Sequence, residues 1–164
     1  MGRTQQKDLN GIPVFGERVA GKRYVVRACA YVVITNDRAC VAVVETPLGR
    51  FLPGGGINDD ETPEEAACRE VLEECGLQIR PGRRIAEAIQ LVHSKSEKTH
   101  FEKRSVFLNA ELVALSMSPV EVDHRLLWVA PEIAPDQMAH ESHAWILRNQ
   151  TSRSASRDTC ARTD

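Results

Sequence analysis

The chain has 164 residues, 42% of them apolar and 27% charged, the composition of one globular domain rather than of a disordered polymer. Twenty-one basic against twenty-three acidic residues leave a net charge of −2, which argues against a protein built to coat nucleic acid or an anionic membrane. The longest nearly apolar run, Ala28 to Ile34, falls far short of the ~20 residues needed to span a bilayer.

Residues 1–20 are mixed polar, with Gly11, Pro13 and Gly16 and no signal-peptide core. They read as an N-terminal arm or edge strand ahead of a domain over 21–148. Tyr24–Thr35, rich in Val, Ile and Tyr, reads as a strand, Asn36-Asp37 as a turn, and Arg38–Glu45 as the antiparallel partner. Phe51-Leu52 is a short extended step into Pro53-Gly54-Gly55-Gly56, and a helix follows at Pro63–Cys75. Arg84–Val92, Ser105–Val113 and Arg125–Val129 are the remaining strands, with Ser94 to Arg104 read as a charged loop between the first two. A last helix is expected at about Asp136 to Arg148, then a disordered tail over 149–164, where large apolar side chains are nearly absent. Strands outnumber helices, so the fold class is α+β. Five cysteines without a Cys-x-x-Cys pair imply reduced thiols in a cytoplasmic protein.

The helix at Pro63–Cys75 carries its own boundary signals. Thr62 is a good N-cap, Pro63 occupies the first helical position, and Glu65 stands where a capping box needs its carboxylate. Gly76 follows, where a left-handed residue costs little. At about 100° per residue, Ala67, Cys68, Val71, Leu72 and Cys75 share one face, and Glu70, Glu73 and Glu74 fall on the other.

That second face belongs to an acidic cluster. Residues 59–74 hold Asp59, Asp60, Glu61, Glu64, Glu65, Glu70, Glu73 and Glu74 against a single cation, Arg69. Glu70 and Glu74 are like charges at i, i+4, a spacing that destabilises an isolated helix. Arg69 relieves this locally by pairing with Glu65 or Glu73. A hard divalent cation would turn the repulsion into coordination. The glycine turn beside the cluster lets backbone approach a ligand closely. Together they suggest an anionic substrate with metal between two sets of negative charge. His140 and His143, at i, i+3 around Glu141, form a poorer candidate metal pair because the acids already offer a better site.

Gly55, then Glu61, then Arg69-Glu70-Val71-Leu72-Glu73-Glu74-Cys75-Gly76-Leu77 resembles the complete signature of the Nudix hydrolase family, with seven fixed identities and two aliphatic positions matched. At average residue usage the identities would coincide on the order of once per 10⁸ windows. The resemblance covers residues 55–77 directly. It implies an α/β/α sandwich around a mixed sheet, and hydrolysis of a nucleoside diphosphate linked to another group by water attack on a pyrophosphate bridge. It further implies Mg²⁺ or Mn²⁺, with Glu73 and Glu74 as direct ligands. Glu70 would bind metal directly or through water, Gly55 would offer its carbonyl, and Glu61 and Arg69 would orient the acidic group. Family members often add an acid after the box. Glu111 is the first candidate for it, and Glu102 the second.

Substrate recognition is written more faintly. Arg27, Arg50 and Lys103 are candidate phosphate contacts, with Glu102 beside them, and so are Lys95, Lys98 and Arg104. Phe101 or Trp128 could stack on a base, although a core position is expected for Trp128. Signatures of the NADH, coenzyme A, ADP-ribose and diadenosine-polyphosphate branches are not evident. A small nucleotide remains by elimination, including canonical or oxidised nucleoside triphosphates. The other readings are a hydrolase of ADP-ribose or dinucleoside polyphosphates, and a non-catalytic nucleotide-sensing module. No membrane or specific nucleic-acid partner is expected, and the chain is read as a monomer or homodimer.

Overall fold

The computed structural model describes residues 5–115 and 122–158, with 151–158 through the backbone alone. Its elements are β1 (Val14–Phe15), β2 (Tyr24–Ile34), β3 (Val41–Thr46), β4 (Gly49–Phe51), β5 (Gly54–Gly56), α1 (Pro63–Cys75), β6 (Leu77–Ser94), β7 (Thr99–Leu115), β8 (Arg125–Val129), a 3₁₀ turn (Ala134–Gln137) and α2 (Glu141–Asp158). Five strands form one mixed sheet in the order β1-β6-β7-β2-β5, and three form a smaller sheet, β4-β3-β8. In the large sheet β2 runs parallel to β7 and antiparallel to β5.

Period-two alternation on β2 divides the core. Cys29, Tyr31 and Val33 join Phe107 with Ile146 and Leu147 of α2. Ala30, Val32 and Ile34 join Leu108 with Ala66, Ala67 and Val71 of α1. The two helices therefore cover opposite faces of a mixed sheet, the α/β/α arrangement expected for the family.

α1 begins and ends where its caps dictate. Thr62 Oγ1 accepts from the Glu65 N–H, Glu65 returns a bond to the Thr62 N–H at 2.8 Å, and Gly76 adopts φ 65°. The buried side chains are Ala66, Ala67, Val71 and Cys75. Cys68 and Leu72, expected on this face, are only half-buried. The helix is rolled so that Ala66 meets the sheet. Val71, fully buried, contributes about 1.5–3 kcal/mol relative to exposure.

Several segments differ from the sequence expectation. β3 is not the ladder partner of β2: after the Asn36-Asp37 turn the two pair only at the Thr35–Val41 bridge, and β3 crosses into the smaller sheet to pair with β4 and β8. Residues 94–104 are not a loop: β6 ends at Ser94 and β7 starts at Thr99, so only a short turn separates two long paired strands. Glu102 and Arg104 share one face of β7 and pair there at 2.7 Å, while Lys103 between them faces the cavity on the other side. The last helix starts at Glu141 and runs to Asp158, well past Arg148. No Pro or Gly interrupts residues 149–158, so low apolar content alone does not stop the helix. Residues 159–164 lie outside the described residues.

Candidate active site

The site forms where the glycine strand β5 is wedged between β2 and the acidic side of α1. Gly54 has φ +135°, and a Cβ there would lie 2.1 Å from the Ala30 carbonyl oxygen. At Gly55 the obstruction is on the other side: a Cβ would lie 2.7 Å from both Cδ and Oε1 of Glu70. Glycine is needed at both positions, for backbone contact at the first and carboxylate contact at the second.

Arg69 ties the acids together. Its Nε and Nη2 donate to Glu61 at 2.6 and 2.9 Å, and Nη2 also donates to the Gly56 carbonyl at 3.0 Å. Its Nη1 donates to Glu70 Oε1 at 2.8 Å and to Glu73 Oε2 at 3.4 Å. Glu65, the other partner expected for Arg69, is used in the capping box instead. The Arg69 hydrogen bonds, helped by the Asn58 N–H, hold the Glu61 carboxyl at about 2.

Glu70 and Glu74 stand one turn apart with side chains 15% and 12% exposed, and both line a cavity of about 700 Å³. Glu74 Oε2 accepts from the Gly54 N–H at 3.0 Å, and Oε1 lies 3.7 Å from His124 Nε2. Glu73 does not line the cavity; its side chain is 40% exposed beside Arg69. Arg27, Cys29 and Tyr31 of β2, Lys103 of β7, Leu48, Phe51 and His140 complete much of the wall. Burial pushes the Lys103 ammonium and the His140 imidazole down, the latter to about 3, and raises the Tyr31 phenol. His140 is therefore neutral at physiological pH.

Of the seven sequence-derived substrate contacts, Arg27 and Lys103 line this cavity, whereas Lys95, Lys98 and Arg104 do not. Arg50 does not: it is occupied by Glu45 at 2.8 Å and by Gln137. Glu102 points from the opposite face of β7, where Arg18 and Arg104 hold it. Burial alone would raise its carboxyl, but those two guanidinium groups outweigh it and the net shift is downward. Glu111 also lies elsewhere. It pairs with Arg80 at 2.8 Å, both 70% exposed, beside a separate open cavity of about 850 Å³ that contains no residue of the signature. The acid that does line the first cavity is Asp123, next to His124 in the segment before β8. No local pattern marks either residue in the sequence.

The histidine pair is not a metal site. His143 is fully buried, and its Nδ1 accepts from the Leu52 N–H at 3.1 Å. That bond fixes the neutral tautomer with hydrogen on Nε2, so neither ring nitrogen offers a lone pair to a cation. Trp128 is half-buried and packs with the α1 side of the core. Phe101 is buried, with the Arg27 guanidinium 5.0 Å above its ring.

Among the described residues no three His, Cys, Asp or Glu donors converge on one point. The chemistry nevertheless fits a hard divalent cation. Two carboxylates face one cavity, against backbone with no room for a side chain, and Mg²⁺ is bound through one or two carboxylates plus phosphate and retained waters.

A model of the NUDIX domain matches residues 25–150, and the chain belongs to the Nudix hydrolase family. Members of this family generally use divalent metal cations and act on small nucleotide substrates. The chain is 26% identical over 159 residues to a protein of Mycolicibacterium smegmatis named 8-oxo-(d)GTP phosphatase. That match covers 89% of this chain and 48% of the relative, so the chain spans about half the relative's length. The fold is similar to the crystal structure of a MutT protein from Methanosarcina mazei Go1, with TM-score 0.62, 18% identity, and coverage of 80% of this chain and 96% of that one. It is also similar to an ADP-ribose pyrophosphatase from Streptococcus suis 89-1591, with TM-score 0.50, 17% identity, and coverage of 65% and 75%. Among the described residues no helix is long and apolar enough to cross a membrane.

Proposed function

We propose that this chain hydrolyses the pyrophosphate linkage of a nucleoside diphosphate joined to another group, using Mg²⁺ or Mn²⁺ held at Glu70, Glu73 and Glu74, with the Gly55 backbone beside them. One observation carries the reading: Glu70 and Glu74 open into the same cavity against a glycine that Glu70 itself keeps free of a side chain. When bound, the cation neutralises phosphate charge and acidifies water. The protein groups do the positioning. Arg69 orients Glu70 and Glu73 and is itself fixed by Glu61, while the Gly54 N–H holds Glu74. Asp123 and His124 close the same side of the cavity. The name of the mycobacterial relative supports a nucleoside triphosphate, oxidised forms included, as the substrate to try first. The described cysteines Cys29, Cys40, Cys68 and Cys75 are free thiols, which suits a cytoplasmic setting.

The test is a panel of nucleoside triphosphates, nucleotide sugars, ADP-ribose and dinucleoside polyphosphates, with Mg²⁺, Mn²⁺ or chelator, for the natural chain and Glu73→Gln. Glu73 is exposed and makes one long contact to Arg69. The variant is therefore expected to keep its melting temperature and lose turnover by orders of magnitude. Near-normal turnover by Glu73→Gln removes it from the ligand set. A nucleotide that raises the melting temperature, with no hydrolysis of any panel member, establishes the non-catalytic module instead.

A further inference from the structure

Arg27 and Lys103 are partner positions on the parallel strands β2 and β7, and both line the cavity that holds Glu70 and Glu74. Two cations at neighbouring positions repel one another, and among the described residues no carboxylate lies within ion-pair distance of either, Glu97 acting on Lys103 only from farther off. Arg18, Arg50, Arg69 and Arg104 each have a carboxylate within ion-pair distance. Among the described residues Arg27 has only the Phe101 ring, and Lys103 has no ion pair at all. The group between them and the glycine strand, Cys29, is no counter-anion, because burial pushes its thiol up and keeps it protonated. Glu70 and Glu74 are anchored away from the pair, by Arg69 and by the Gly54 N–H.

The cavity is therefore bipolar, with carboxylates along α1 and a cationic wall on the sheet. Along β2 the step from Arg27 to Cys29 is two residues, about 7 Å, and Cys29 pairs with Gly56 of the glycine strand. The wall thus stands one short stride from the proposed cleavage site, within reach of the next phosphate along a polyphosphate chain. A guanidinium fork beside an ammonium suits a phosphate monoester, which carries enough charge to answer both. A neutral sugar hydroxyl or base edge would leave the two positive charges facing each other.

We propose that Arg27 and Lys103 together seat a phosphate beyond the two between which the substrate is cleaved, and so select nucleoside triphosphates over nucleoside diphosphates linked to an uncharged sugar. The inference rests on the hydrolase reading for its orientation, but its test does not need turnover. The binding of a non-hydrolysable α,β-methylene analogue of dGTP and of ADP-ribose would be measured by calorimetry in Mg²⁺ for the natural chain, Arg27→Met and Lys103→Met. Melting temperatures confirm folding, and Met retains the stem of each side chain. Each substitution is expected to weaken the triphosphate analogue roughly 10- to 100-fold, the scale of a lost hydrogen bond to a charged group, and to leave ADP-ribose within about threefold. Equal losses for both ligands, or none for the triphosphate, overturn the proposal. If the natural chain hydrolyses no nucleotide, the hydrolase reading fails, and the binding ratio still decides the role of the two cations.

Discussion

Replacing each of two adjacent glycines by alanine separates the architecture of the site from its chemistry. At Gly54 the added methyl would lie 2.1 Å from the Ala30 carbonyl oxygen and 2.7 Å from the Tyr31 Cα, in a residue with φ +135°. Both obstacles are backbone of a central strand and cannot swing aside. Overpacking of about 1–3 kcal/mol adds to about 1–2 kcal/mol for a side chain in the left-handed region. Gly54→Ala should therefore lose about 3 kcal/mol or more, close to 10 °C in melting temperature for a domain of this size. At Gly55 the methyl meets only the end of the Glu70 side chain. The carboxylate can rotate away, at the cost of its partly exposed bond to Arg69, up to about 1 kcal/mol or some 3 °C. A displacement near 1 Å at a catalytic group costs about 100-fold in rate. Gly55→Ala should melt almost normally and lose about 100-fold in kcat. Differential scanning fluorimetry and a phosphate-release assay on the best substrate of the panel measure both. Gly55→Ala with full turnover, or as unstable as Gly54→Ala, would refute the reasoning.

Two more outcomes follow from the ionisable groups. The Glu61 carboxyl sits at about 2 in the fold because Arg69 binds its charged form, against about 4.3 unfolded. A depressed value stabilises the fold above the unfolded pKa and loses that contribution as pH falls through the folded one. The melting temperature should therefore decline between about pH 4.5 and 2, with a shallower slope in Glu61→Gln; equal slopes would contradict it. His143→Leu removes the acceptor of the buried Leu52 N–H and should cost about 1–3 kcal/mol, read as a lowered denaturant midpoint at unchanged m-value.

The parts legible in the sequence are those whose causes are local. The bounds of α1 follow from Thr62, Pro63, Glu65 and Gly76, each acting within one turn of the helix. β8 has the bounds its apolar run suggests, Arg125–Val129. The acidic row could be read from i, i+4 spacing alone. Errors cluster where a partner is distant in the chain. Glu102 and Arg104 look like loop charges until Arg18 and Asp8 of the N-terminal segment are brought beside them. Glu111 is a plausible extra acid by proximity, but the register of β6 on β7 sets it opposite Arg80. Asp123 and His124 carry no local mark, and only the return of the chain into β8 delivers them to the cavity. Which side of a strand Lys103 faces, unlike Glu102 before it, depends on register that spacing within residues 94–104 cannot supply.

Arg69 offers a last consequence. A guanidinium carries five N–H hydrogens, and here all five are spent: one on Nε and two on each terminal nitrogen, shared among Glu61, Glu70, Glu73 and Gly56. The sole cation of the signature is thus saturated as a donor. It is the keystone of its arch and has no hand left to extend to an incoming anion. A lysine there would keep the charge but, with three hydrogens on one point, could not brace four neighbours at once.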